Sequence, residues 1–495
     1  YLVAKIKIDP ERRIGSVDRR ILGEFIEHLG RCIYGGVYDE GSSLSDEHGF
    51  RKDVLDAARA MQVPLLRWPG GNFVSGYHWT DGIGPVEQRA RRIELAWHSE
   101  ESNRFGTDEF IEYCRALGAE PYICVNMGTG SMDEAQAWVE YCNGTQNTYW
   151  ANLRRKNGHE EPYNVKYWGL GNEMYGHWQI GALSAEDYAK RAVQFAKVMK
   201  WTDPSIELVS CGMKGWDEWD RIVIEELAPF VNYHSIHIYT GSNDYYRNVF
   251  MPHQTERAID NCQALIDNVR YRKHIDHPIY VAYDEWNVWF RAIGHETALE
   301  ERYTLADALA VATYLNIFIR HAQTVRIANL AQMVNVIAPI FTSPEGMFLQ
   351  TIYHPLRLYA EHMQEIALDV FVEADTYELK EEIGKEHWPD RVADLGPFKM
   401  LDVTATCDAQ GRELMVAVVN RDAEHATTTT IELLDTVAAS EMRVYEVNGS
   451  SPEASNSFEH PHVVDVRESR MNVDGGRFEY TFPAHSVTVL RMQTG

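Results

Sequence analysis

A long alternation of short apolar runs and amphipathic stretches constrains this chain most. Between about residue 18 and residue 365 the apolar runs fall at 21–25, 64–67, 121–126, 165–169, 207–211, 233–238, 279–283 and 325–330. Amphipathic segments lie between them, including 51–61, 108–117, 131–142, 185–201, 256–272 and 303–321. Ser131-x-x-Glu134 and Ser184-x-x-Asp187 have the form of capping boxes at helix starts. Several runs are continuously apolar, as strands of a parallel sheet buried on both faces must be. Eight strand–helix alternations over about 350 residues predict a (β/α)8 TIM barrel. A doubly wound open sheet has a similar rhythm, but no GxGxxG follows the first run and no GxxxxGK[ST] occurs anywhere.

At 495 residues the chain is too long for one core, and its texture changes near Leu368. From there the runs 403–406, 414–419, 427–433 and 486–492 are strand-like and are punctuated by Gly, Asn and Asp. This predicts three parts: an N-terminal strand within 1–17, a catalytic barrel over 18–367, and a C-terminal antiparallel β-sandwich, jelly-roll-like, over 368–495. The alternating Lys5-Ile6-Lys7-Ile8 is expected to add one strand to that sandwich.

Composition removes several functional classes. With 45% hydrophobic and 24% charged residues, disorder, collagen and coiled coil are excluded. The longest apolar stretch, 308–318, is about half a membrane span and contains Thr313 and Asn316. A formal net charge of −26 repels phosphate backbones and anionic lipid, so neither nucleic acid nor membrane is an expected partner. The seven cysteines are odd in number and form no CxxC pair, which argues against a disulfide framework or a zinc ribbon. The opening Tyr1-Leu2-Val3-Ala4-Lys5 has no signal-peptide h-region, so a cytoplasmic location is expected; the lack of an initiator methionine allows for processing.

Two segments carry candidate chemistry. Trp168-Gly169-Leu170-Gly171-Asn172-Glu173 ends the fourth run and Tyr283-Asp284-Glu285-Trp286-Asn287 ends the seventh. Among 73 acidic residues an isolated glutamate is ordinarily a solvated or ion-paired group. A Glu placed after a buried strand and beside Asn or Trp is different, and two of them at one barrel mouth suit glycoside hydrolysis. One carboxyl donates a proton while the other attacks or activates water. Asp284 competes with Glu285, because neighbours on a strand point to opposite faces and only one of them can face the mouth. Glu27, Asn72, Asn126, Tyr239 and Gln332 also follow runs and suit hydroxyl binding. His234 and His237, three apart on a strand, point to opposite faces and are poor shared metal ligands. No HExxH, EF-hand loop or GxSxG is present.

The chain resembles the α-L-arabinofuranosidases of glycoside hydrolase family 51 over essentially its whole length. The resemblance rests on Glu24-Phe25-Ile26-Glu27-His28-Leu29-Gly30-Arg31 with Tyr34-Gly35-Gly36, and on Arg67-Trp68-Pro69-Gly70-Gly71-Asn72-Phe73. It continues through Gly76-Tyr77-His78-Trp79, Asp81-Gly82-Ile83-Gly84-Pro85 and Gly169-Leu170-Gly171-Asn172-Glu173-Met174. Asp284-Glu285-Trp286-Asn287-Val288-Trp289 and Ala331-Gln332-Met333-Val334-Asn335-Val336-Ile337 complete it.

The resemblance implies a retaining, exo-acting hydrolase that releases terminal α-L-arabinofuranosyl residues from arabinan, arabinoxylan or arabino-oligosaccharides. Glu173 is implied as the general acid/base and Glu285 as the nucleophile. Glu27, Asn72, Asn172 and Gln332 would hold sugar hydroxyls, Tyr239 would hydrogen-bond the nucleophile, and Trp289 would wall the pocket. No metal and no organic cofactor is implied, and a homo-hexamer is. The short segment 289–303 and the variable Tyr175 both lie where a leaving-group sugar would sit, so they bear on linkage preference. Three alternatives are another retaining glycosidase such as an endo-β-glucanase or xylanase, a non-catalytic carbohydrate-binding barrel, and a metal-dependent barrel hydrolase.

Overall fold

The computed structural model of the chain describes residues 4–380 and 391–495. Tyr1-Leu2-Val3, read above against a leader, lie outside the described residues, as does 381–390 within the expected sandwich.

Eight strands close into a barrel: Gly23–Phe25, Leu65–Trp68, Glu120–Cys124, Tyr167–Leu170, Glu207–Ser210, Tyr233–Thr240, Tyr280–Val288 and Val325–Ala331. Each neighbouring pair is parallel, and the eighth strand returns to the first with Asn329 opposite Gly23. The six predicted helical segments form Lys52–Ala60, Thr107–Leu117, Met132–Asn143, Ala185–Thr202, Gln254–Lys273 and Leu305–Arg320. Ser131 and Ser184 cap theirs, each hydroxyl accepting an N–H three residues on at 3.2 Å. Helices Tyr149–Lys156, Glu218–Leu227, Tyr245–Phe250 and Tyr353–His362 complete the outer layer.

Inside the barrel, Leu65, Tyr122, Tyr167, Val209, Tyr233, Ala282 and Ile327 form a separate buried cluster drawn from seven of the eight strands. That plug fills the barrel below the mouth, where the strands end. The sixth and seventh strands run on to Thr240 and Val288, beyond the apolar runs that predicted them, and carry polar residues up to the mouth.

The C-terminal region packs a four-stranded sheet, in the order Phe371–Glu373, Ala4–Ile8, Thr427–Leu433, Arg477–Phe482, against a seven-stranded one. The seven run Arg13–Ser16, Ile366–Leu368, Leu401–Cys407, Glu413–Asn420, Ser486–Thr494, Ala438–Asn448, Asp465–Asn472. The N-terminal strand buries Ala4, Ile6 and Ile8 and leaves the two lysines half-buried, as its alternation requires. It pairs parallel to Thr427–Leu433, so the sandwich is antiparallel except at that pair.

Leu305–Arg320 is apolar all round and packs on the seventh barrel strand and on strands Leu401–Cys407 and Glu413–Asn420. It joins the two regions, as does Tyr353–His362, which packs on Ser486–Thr494 and Ala438–Asn448. The two polar interruptions of the stretch 308–318 are satisfied: Thr313 donates to the Leu309 carbonyl at 2.9 Å and Asn316 donates to Asp402 at 2.9 Å. No helix among the described residues is long and apolar enough to cross a membrane.

Candidate active site

The mouth of the barrel holds a cavity of about 520 Å³, within the usual range for a small-molecule site. Glu173 and Glu285 both border it, and each offers a carboxylate oxygen within 4.8 Å of the other. Glu285 sits within the seventh strand, whereas Glu173 follows the fourth with a φ of +42°. Two cations hold the buried Glu285: Arg67 Nη1 donates to Oε1 at 3.1 Å, and His237 Nδ1 lies 3.0 Å from Oε2. Burial opposes its charge, but His237 and Arg67 outweigh burial and hold the carboxyl below its ordinary range.

Glu173 is more open. Trp178 Nε1 donates to its Oε2 at 2.7 Å, the Tyr175 hydroxyl lies 3.4 Å from Oε1, and His237 Nδ1 lies 3.2 Å from the same oxygen. One imidazole nitrogen therefore faces both carboxylates.

Asp284 and Glu285 do not divide between two faces as strict alternation requires. The pairing register shifts between Tyr283 and Trp286 on one side of the strand and between Ser235 and His237 on the other. These irregularities let both acids reach the same ring: Asp284 Oδ1 is 2.9 Å from His237 Nε2. Asp284 also accepts from the Tyr122 hydroxyl at 2.7 Å and stands 3.8 Å from Arg67 Nε. His234 points the other way, between Ser210 and Asp220 at 2.8 Å each.

Glu27 lies across the cavity. Oε1 accepts from the Phe73 N–H and Trp97 Nε1, both at 3.1 Å, and Oε2 accepts from Gln332 Nε2 at 2.9 Å. All three donors are neutral. Burial therefore dominates and, with Glu285 nearby, pushes this carboxyl up to about 8 despite the Phe73 hydrogen bond. The loop passes this carboxyl at Gly71, where a Cβ would lie 2.3 Å from Glu27 Oε2; only glycine fits.

Asn72, Tyr239, Trp289 and Gln332 border the cavity. Tyr239 and Trp289 meet edge to face with ring centroids 5.3 Å apart. Asn172 is 1% exposed and is not on the wall: its Oδ1 accepts from Arg67 at 2.6 Å and its amide donates to Gln179 at 3.3 Å. Asn126 ties two loops together, donating to the Tyr77 carbonyl after the second strand and to Thr129 in its own loop.

Sequence reasoning did not single out Arg67, Trp97, Trp178 or the position of His237 between the carboxylates. An arginine inside the apolar run Pro64-Leu65-Leu66-Arg67-Trp68 was a readable signal, since a buried cation demands buried anions. Trp97 arrives on a polar hairpin, Arg92–Glu94 with Ser99–Glu101, that carries no periodic pattern.

Glu173, His237 and Glu285 have the spacing of a metal-ligand trio. However, both ring nitrogens of His237 already face carboxylate oxygens, which suits a doubly protonated imidazolium and leaves no lone pair for an ion.

A plugged eight-stranded barrel with two carboxylates this close at its mouth has the architecture of a glycoside hydrolase. Comparison with known proteins narrows the class. Residues 57–257 match the family model described as the alpha-L-arabinofuranosidase 1 domain. Residues 284–486 match the alpha-L-arabinofuranosidase C-terminal domain, a family unit that begins inside the seventh barrel strand. A probable alpha-L-arabinofuranosidase C of Aspergillus clavatus is 45% identical over 503 residues, covering 98% of this chain and 96% of the relative. An intracellular exo-alpha-(1->5)-L-arabinofuranosidase of Halalkalibacterium halodurans is 42% identical over 77% of this chain and 80% of the relative. The arabinose complex of an alpha-L-arabinofuranosidase from Thermotoga maritima superposes with a TM-score of 0.91 at 43% identity, covering 99% of this chain and 100% of that one. The chain belongs to the glycoside hydrolase family 51 α-L-arabinofuranosidases.

Proposed function

We infer that this chain is a retaining, exo-acting α-L-arabinofuranosidase, with Glu285 as nucleophile and Glu173 as general acid/base. The observation that carries this reading is the separation of the two carboxylates. Carboxylate oxygens within 4.8 Å of each other favour the close spacing of retaining enzymes, roughly 5–5.5 Å between carboxyl groups, over the roughly 6.5–9.5 Å of inverting ones.

In the first step a Glu285 oxygen bonds the anomeric carbon as the glycosidic C–O bond breaks, and Glu173 passes its proton to the leaving oxygen. In the second, Glu173 takes a proton from water, whose oxygen attacks that carbon and expels the Glu285 carboxylate. Arg67 and His237 suit Glu285 to the first step by keeping it ionised. Glu27, Asn72 and Gln332 bind the hydroxyls of the cleaved sugar, and burial, which pushes the Glu27 carboxyl up to about 8, favours the neutral form that donates as well as accepts. Asn172 acts on the site through Arg67, Tyr239 approaches the nucleophile, and Trp289 and Trp97 wall the sugar.

Trp97 and His295, whose rings meet 5.5 Å apart on the wall of the cavity, favour a chain end over a passing chain. The Halalkalibacterium relative, named for α-(1→5) linkages, favours arabinan-derived oligosaccharides among the expected substrates. That relative is also named intracellular, and the seven cysteines here are all free and buried; both support a cytoplasmic location. The hexamer rests on family resemblance alone and is tested by analytical ultracentrifugation. The endo-β-glucanase or xylanase reading and the binding-barrel reading are not favoured, given the family and the presence of both carboxylates. Proton NMR of the first-formed sugar tests the mechanism: retention of configuration is expected, and inversion removes it.

A further inference from the structure

Asp284 has no task in the reaction just described, yet both of its carboxylate oxygens are engaged. It is 2% exposed and borders no part of the cavity, so it does not touch substrate. Tyr122 donates to one of its oxygens at 2.7 Å and His237 Nε2 stands 2.9 Å from the other. The second nitrogen of that ring is 3.0 Å from Glu285 Oε2 and 3.2 Å from Glu173 Oε1. With Asp284 and Glu285 ionised, each is an acceptor only, so both ring nitrogens must carry hydrogen.

The groups facing the ring come from every side of the mouth. Asp284 and Glu285 lie on the seventh strand, Glu173 follows the fourth, Arg67 reaches the same carboxylates from the second, and the Cys124 and Cys211 thiols lie on the third strand and just past the fifth. Burial opposes a charged imidazole there, and the Glu285 and Asp284 carboxylates overcome it, raising His237 well above its ordinary value.

We propose that Asp284 is a positioning residue which, through His237, holds one N–H between the two catalytic carboxylates so that the hydrogen bond follows the negative charge from Glu285 to Glu173 and back. The proposal rests on the retaining reading. In that cycle the pair carries a single negative charge throughout. Glu285 bears it before attack; Glu173 bears it once Glu285 has become a neutral ester and the proton has left with the aglycone. Hydrolysis returns the charge to Glu285 and the proton to Glu173. A fixed Nδ1–H lying 3.0 and 3.2 Å from the two oxygens serves both states without moving the ring. Asp284 fixes the ring because it is itself fixed by Tyr122.

The test is a double-mutant cycle with Asp284→Asn, His237→Asn and both together, assayed on a nitrophenyl arabinofuranoside across pH, with folding checked by thermal melting. Each single variant is expected to lose on the order of 100-fold in kcat, the scale of acid–base assistance. The double variant should be no slower than the worse single one, because Asp284 acts only through the ring. Asp284→Asn should also pull the alkaline limb of the pH profile down by at least about one unit, since an imidazolium with one carboxylate fewer deprotonates sooner. Additive losses, or unchanged limbs, overturn the proposal. If Asp284→Asn does not fold, 15N NMR of histidine-labelled wild-type enzyme decides, with the His237 signals assigned by their loss in His237→Asn. Two protonated nitrogens at pH 7 are expected, and a singly protonated ring overturns it. An inverted product anomer would instead remove the retaining reading, whatever the cycle shows.

Discussion

Glu285 and Glu27 border one cavity and are buried almost equally, at 5% and 2% exposure, yet their surroundings drive them apart. Loss of water disfavours the charge on both. Glu285 is met by a guanidinium and an imidazolium and stays ionised; Glu27 is met by an amide N–H, an indole and a carboxamide and is pushed up to about 8. Three neutral hydrogen bonds do not offset the desolvation of a carboxylate, whereas two formal charges do. One pocket thus holds an anion for attack and a neutral acid for binding.

Removing the anion should have the largest effect. Glu285→Ala is expected to lower kcat roughly 10⁴-fold or more, the scale on which essential nucleophiles act. Azide should restore turnover and give a glycosyl azide of inverted configuration; rescue with retention would show that the wrong acid had been named. Glu173→Ala should cost roughly 100-fold or more on arabino-oligosaccharides and far less on an aryl arabinofuranoside, whose leaving group scarcely needs a proton. Equal losses on the two substrates remove Glu173 from the acid role.

Arg67→Met tests whether charge separates the two glutamates. Without the guanidinium, the acid limb of kcat/KM should move to higher pH, because Glu285 regains part of its burial penalty. Stability should fall by about 3–5 kcal/mol, as when one partner of a buried ion pair is lost. An unmoved acid limb would mean that His237 alone sets the charge.

Glu27→Gln tests the neutral side by its effect on stability. An acid whose folded pKa is raised binds more protons in the native state than in the unfolded one over the window from its unfolded value to about 8. Wild-type stability therefore falls as pH climbs through that window. The variant lacks this slope, so its stability relative to wild type should rise between pH 5 and 8 by on the order of a few kcal/mol in urea titrations. Gln332, whose Oε1 has no hydrogen-bond partner, can rotate to accept from the new amide. The smallest expected effect is that of a chelator, which should leave turnover unchanged; loss of activity with EDTA and its return with a divalent ion would revive the metal reading.

Some of this was legible in the sequence. The eight apolar runs mark the barrel strands because a strand buried on both faces must be apolar along its whole length. The run ending at Tyr283 nevertheless stopped short: the strand continues through Asp284, Glu285, Trp286, Asn287 and Val288, and the two acids there are stabilised by partners far away in the chain. Strict alternation allowed only one of the two acids at the mouth, and only Glu285 borders it; that both nevertheless reach His237 follows from a register shift, a property of two paired strands that neither contains alone. The polar strand Asp465–Asn472, mostly exposed at a sheet edge, has no apolar face to announce it.

The sequence by itself determined the repeated strand–helix order, the change of texture near Leu368 and the positions of Glu173 and Glu285 just after apolar runs, because periodicity and neighbouring residue types act over a few residues. The tertiary structure alone decided which acid is charged. Arg67, His237, Asp284 and Glu285 come from three strands, and Glu27 meets Trp97 and Gln332 from two distant loops. The energy of a buried charge depends on what lies within a few ångströms, and chain order does not specify that distance.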